Sequence, residues 1–123
     1  MCLIALVSLI GLSCEKNSEE VIFTEVEYGI LGMDDYISSI TYTDASGNPI
    51  VTDDKTQFVN GSKKLSVSTK PFTARMELII YNNTSETKSY TIGILVNGEP
   101  KAIKSVYCAP FDYGFGEVEF TVQ

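Results

Sequence analysis

Alternation is the feature that most constrains this chain. In "VIFTEVEYGI" (21–30), Ile22, Val26, Tyr28 and Ile30 share one side with Thr24, while Glu25 and Glu27 point the other way. Successive side chains of a strand point to opposite faces, so this period of two marks a strand with one buried face. The pattern returns along the chain. Tyr36, Ile40 and Tyr42 share a side in "YISSITYT", Leu65 and Val67 in "KKLSVST", and Met76, Leu78 and Ile80 in "ARMELIIYN". Tyr90, Ile92, Ile94 and Val96 follow in "SYTIGILV", then Val118, Phe120 and Val122 in "GEVEFTV", with Glu117, Glu119 and Thr121 outward. "PIVTDDKTQFV" is weaker and predicts one or two short edge strands. "PKAIKSVYC" reads as the partner of the strand before it. No segment has a helical period.

Turn chemistry separates these runs. "DASGNP" (44–49), "NGS" (60–62) and "NNTSET" (82–87) are dense in turn formers, and Asn97-Gly98 suits a type I′ hairpin, whose two central residues need positive φ. Pro49, Pro71, Pro100 and Pro110 fall at strand ends or in loops, where a missing N–H does little harm. Short strands about 8–12 residues apart argue a β-sandwich or a small barrel, in one domain.

The first residues follow different rules. Residues 2–12, "CLIALVSLIGL", are uncharged and too few to span a bilayer, which takes about 20 residues. Their length fits the apolar region of a signal peptide. Gly11, Leu12 and Ser13 then precede Cys14, which resembles the bacterial lipobox, where cleavage exposes a cysteine whose thiol carries diacylglycerol. This assigns 1–13 to a lipoprotein signal peptide, Cys14 to lipidation, 14–20 to an acidic tether and 21–123 to the β-sandwich domain. No Lys or Arg precedes the apolar run, as expected if the native start lies upstream. "EKNSEE" (15–20) resembles the acidic tag of surface-exported lipoproteins. The expected location is the bacterial cell envelope, lipid-anchored at the outer membrane on its surface or periplasmic face.

Charge narrows the partners. A net charge of −7 lacks the clustered Lys and Arg that neutralise phosphates, so nucleic acid is not an expected partner. The same balance gives no attraction to anionic lipid, leaving acylation as the membrane contact. Catalytic residues are not expected. There is no histidine to activate Cys108 as a nucleophile, and Cys108 reads as a small buried hydrophobe. Glu117 and Glu119 share the outward face of a strand, which reads as a solvated face rather than an acid–base pair. Asp44-x-Ser46-x-Asn48 resembles the start of a calcium loop, but Pro49 follows and no distal Glu completes it. No metal and no cofactor are expected.

"VYCAPFDYGFGE" (106–117) is the most unusual stretch. It predicts a connecting loop carrying Tyr107, Phe111, Tyr113 and Phe115, with Gly114 and Gly116 permitting tight turns. Aromatics on a rigid loop make a contact surface for sugar or protein, or they plug the open end of a sandwich. Phe111 and Phe115 are expected to plug, and Tyr113 to keep its hydroxyl wet. Tyr113 and Phe115 are the candidate binding residues.

"VEYGILG" (26–32), "ITYTDASGNP" (40–49) and "ILVNGEPK" (94–101) together resemble the MmpS-type transport accessory proteins, over residues 26 to 104. That resemblance implies an immunoglobulin-like antiparallel β-sandwich of about seven or eight strands and a partner in a resistance-nodulation-division exporter. The family's Pro-Trp and its disulfide are absent, and a lipobox stands in place of its membrane helix. Two functions follow as expectations. One is a non-catalytic, lipid-anchored interaction or accessory module with a protein partner in an envelope transport complex. The other is a surface-exposed glycan- or protein-binding, adhesin-like domain.

Overall fold

A computed structural model describes residues 22–123. The candidate lipidation site Cys14, the signal segment and the acidic tether lie outside the described residues. The strands are β1 Thr24–Leu31, β2 Ile37–Thr43, β3 Pro49–Thr52, β4 Ser62–Val67, β5 Phe72–Asn82, β6 Lys88–Val96, β7 Glu99–Cys108 and β8 Asp112–Val122. One sheet runs β4-β1-β6-β7 and the other β3-β2-β5-β8, four strands each, with every pairing antiparallel. The chain is an all-β sandwich.

The core lies between the sheets and follows the alternation. Thr24, Val26, Tyr28 and Ile30 of β1 face Ile40, Tyr42, Met76, Leu78 and Ile80 of the other sheet, all buried. Tyr90, Ile92 and Ile94 of β6 complete the layer. The rings of Tyr28 and Tyr42 meet at 5.7 Å, and Tyr42 meets Phe58 edge-on at 5.8 Å. The Tyr28 hydroxyl donates to the Thr43 carbonyl at 2.7 Å, which satisfies a polar group the core would otherwise strand. Asn97 and Gly98 both adopt positive φ (51° and 81°) and close the β6–β7 hairpin, as their sequence demands.

Several expectations need correction. Ile22 is exposed, because the first ladder pair of β1 is Thr24↔Val67 and nothing pairs ahead of it. In β2 the register shifts between Ile37 and Ser39, so Ile37 enters the core and Tyr36 is only half-buried. An extra residue in one strand reverses which parity faces inward. In the weak 49–59 stretch, β3 is an edge strand as expected, but a short 3-10 turn, Lys55–Gln57, follows and drops Phe58 into the core.

The largest correction concerns 106–117. It is a hairpin between the two sheets rather than a loop. β7 runs to Cys108 and β8 begins at Asp112, so only residues 109–111 turn. Gly114 and Gly116 are strand residues without positive φ. They face inward, where a Cβ on Gly114 would lie 2.9 Å from the Cys108 sulfur, and one on Gly116 would lie 2.9 Å from Val106 Cγ1. Their missing side chains let β7 and β8 close one edge of the sandwich.

Candidate functional site

The parity of β8 decides where its aromatics go. With Gly114, Gly116 and Val118 turned inward, Tyr113 and Phe115 must point outward, and they are 69% and 58% exposed. Phe111 occupies the turn with φ 54° and is 71% exposed. The expectation that Phe111 and Phe115 plug the sandwich is therefore wrong. Cys108 and Asn82, both buried, occupy that end instead. Tyr113 meets water, as its hydroxyl's preference predicts. Tyr107 is also exposed, but it belongs to the other sheet.

Two residues that the sequence reading passed over join Tyr113 and Phe115. In the β5–β8 ladder, Tyr81 pairs with Tyr113 and Ile79 with Phe115. Ile79 and Tyr81 are 41% and 46% exposed. The Tyr81 and Tyr113 rings lie 4.8 Å apart at 32°, a tilted stack across the ladder. Two adjacent rungs thus present four apolar side chains to solvent on the outer face of the sheet. The available signal was parity: outward positions of β5 read Thr73, Arg75, Glu77 and then switch to Ile79 and Tyr81.

The next rungs are charged. Glu77 pairs with Glu117 and Arg75 with Glu119. The Arg75 Nε donates to Glu117 at 2.5 Å, its Nη1 forms an ion pair with Glu77, and Glu119 lies at 3.9 Å. One cation among three carboxylates relieves the like-charge rung and leaves this margin of the patch acidic. The arrangement is that of a solvated sheet face. Its carboxylates are committed to Arg75.

The remaining candidates resolve as structural parts. The Asp44 carboxylate accepts from the backbone N–H of Ser46 and of Asn48, each at 2.9 Å, and so builds the β2–β3 turn. Among the described residues, no group of three or more Asp, Glu, Cys or His gathers as a ligand set. Burial raises the Cys108 thiol above its ordinary pKa, and its Sγ donates to the Asp112 carbonyl at 3.3 Å. Such a thiol is poorly nucleophilic.

Asn82 organises the turn beneath the aromatics. Its Nδ2 donates to the carbonyls of Glu86 at 2.7 Å, Ala109 at 3.0 Å and Cys108 at 3.2 Å. Its Oδ1 accepts from the Thr84 N–H at 3.0 Å and the Thr84 hydroxyl at 2.7 Å. The Phe111 N–H donates to the Thr84 carbonyl at 3.1 Å. One buried amide therefore ties the 82–87 loop to the turn that launches β8. The chain matches no protein-family model and no curated protein sequence.

Proposed function

We propose that this chain is a non-catalytic, lipid-anchored cell-envelope protein, an interaction module that serves a membrane transport complex through the outer face of the β3-β2-β5-β8 sheet. One observation carries the reading: Ile79, Tyr81, Tyr113 and Phe115 stand exposed side by side on neighbouring rungs. A contiguous apolar patch of this kind is disfavoured on a free surface and common in protein contacts, where Tyr and Phe are enriched. The lipobox-like "GLSC" supports anchoring, and the MmpS-like segments support the transport setting.

The adhesin-like reading has one observation in its favour, the aromatic content of the patch. Tyr81 and Tyr113 stack on each other, however, so each spends a ring face that a sugar would need. A protein partner needs only the combined surface.

The test is photo-crosslinking in intact cells, from position 113 of a chain secreted with a complete signal sequence. An adduct with an integral envelope protein, lost in Phe115→Ala, is the expected result. A chain that stays soluble after secretion contradicts the anchor. Capture by a glycan array with no protein adduct contradicts the module.

A further inference from the structure

The opposite sheet carries a second surface feature. On the outer face of β4-β1-β6-β7, one row across the strands reads Ser62, Gly29, Gly93, Ile103. Its two central members have no side chains, so the row is a trough. Leu31, Leu95, Pro100 and Ile103 wall a volume of about 300 Å³. That lies at the small end of ligand pockets and suits one chain rather than two.

Packing does not demand glycine at position 29. Its φ is not positive, and a Cβ there would meet nothing nearer than Leu95 Cδ1 at 3.9 Å, an ordinary contact. Interior strand glycines weaken a sheet, and they recur where a ligand approaches the backbone closely. The fold gives up side-chain packing on two neighbouring central strands, and the result is an open apolar channel.

The channel has a polar end. Glu27, Asn60 and Ser62 line both the trough and an adjoining pocket of about 570 Å³, which also contains Gln57, Lys63 and Lys64. The Glu27 carboxylate accepts the Ser62 hydroxyl proton at 2.6 Å. Two lysines against one glutamate make this end net positive in a chain whose charge is −7. The charge asymmetry selects an anionic head, and the trough selects an unbranched tail.

We propose that the trough floored by Gly29 and Gly93 binds a single linear alkyl chain with a carboxylate head, a fatty acid, whose head lies at Lys63 and Lys64. The row crosses a four-stranded sheet, about 14 Å at the usual strand spacing, so dodecanoate is a suitable probe.

Titration of the full chain with dodecanoate, followed by amide shifts in 15N–1H spectra, tests this. Saturable shifts centred on Gly29, Gly93 and Ile103 are expected. Gly29→Leu fills the trough and should weaken binding at least tenfold. Ile103→Glu, at an exposed edge position that cannot compromise the core, should do the same. Lys63→Gln combined with Lys64→Gln should weaken dodecanoate but leave dodecanol unchanged. Absence of saturable binding, shifts centred on Tyr113 and Phe115, unchanged affinity in both trough variants, or tighter capture of phosphatidylglycerol vesicles than of dodecanoate would each overturn the proposal.

Discussion

Gly116 faces Val106 across the closed edge of the sandwich with no room for a methyl group: a Cβ at 116 would stand 2.9 Å from Val106 Cγ1 and 3.1 Å from its Cβ. The neighbour is a branched core side chain rather than a flexible tip. Gly116→Ala should therefore push β7 and β8 apart at a cost of about 1–3 kcal/mol, the usual range for overpacking. Val106→Ala removes both Cγ atoms and should recover part of that loss in the double variant, although it leaves a small void alone. Urea denaturation of the four chains of this cycle gives the coupling. Additive effects would mean the strands have other room to move.

Asn82 is the second structural pivot of the same region. Replacing it with Ala leaves the carbonyls of Cys108 and Ala109 and the Thr84 N–H without their partner. Each buried group so stranded costs about 1–3 kcal/mol, so Asn82→Ala should lose about 3 kcal/mol or more. Hydrogen exchange should rise first at Phe111, whose N–H bonds to the loop that Asn82 holds. A variant that melts like wild type would show that water replaces the amide without penalty.

Burial pushes the Tyr28 hydroxyl up to about 12, and Tyr90 is raised in the same direction by burial and by its bond to Asp34. Tyrosine in the unfolded chain ionises near 10. Below that pH both states keep the proton and the stabilisation is complete. Between about 10 and 12 only the unfolded chain releases it, so stability falls as pH rises. Chemical denaturation across this window should show the fall, and Tyr28→Phe should flatten part of it. That variant should also lose about 1 kcal/mol at neutral pH, with the bond to Thr43. A Tyr28→Phe curve parallel to wild type above pH 10 would place the alkaline loss elsewhere.

Strand faces were legible where apolar side chains mark parity. Val26, Tyr28, Met76, Leu78, Ile80, Ile92 and Ile94 all face the core as their alternation requires. The β2 bulge was not legible, because Ser38 and Ser39 give no apolar cue to a register shift. Phe58 was hidden because a single 3-10 turn has no period. β8 was misread as a loop at its start because Pro110, Gly114 and Gly116 look like turn punctuation. A glycine chosen for close approach and one chosen for positive φ are the same letter in a sequence. Of the aromatic patch, Tyr113 and Phe115 stood out, whereas Ile79 and Tyr81 were masked by the clear inward stripe of their own strand.

The patch itself makes the final prediction. Tyr113 and Phe115 lie on the solvent side of β8, so changing both to Ala removes contacts mainly with Tyr81 and Ile79 on the neighbouring strand. Cross-strand pairs of this kind contribute about 0.2–1 kcal/mol each. A buried Phe would instead cost about 3–5 kcal/mol on truncation. The double variant should therefore melt within a few degrees of wild type and keep its strand circular dichroism, while the photo-crosslinked partner is lost. Tyr107→Ala is the internal control, because that ring is equally exposed but on the other sheet, and it should leave the partner bound. Loss of the fold in the double variant would mean that the rings support the sheet. An intact fold with an intact adduct would move the contact surface elsewhere on the sandwich.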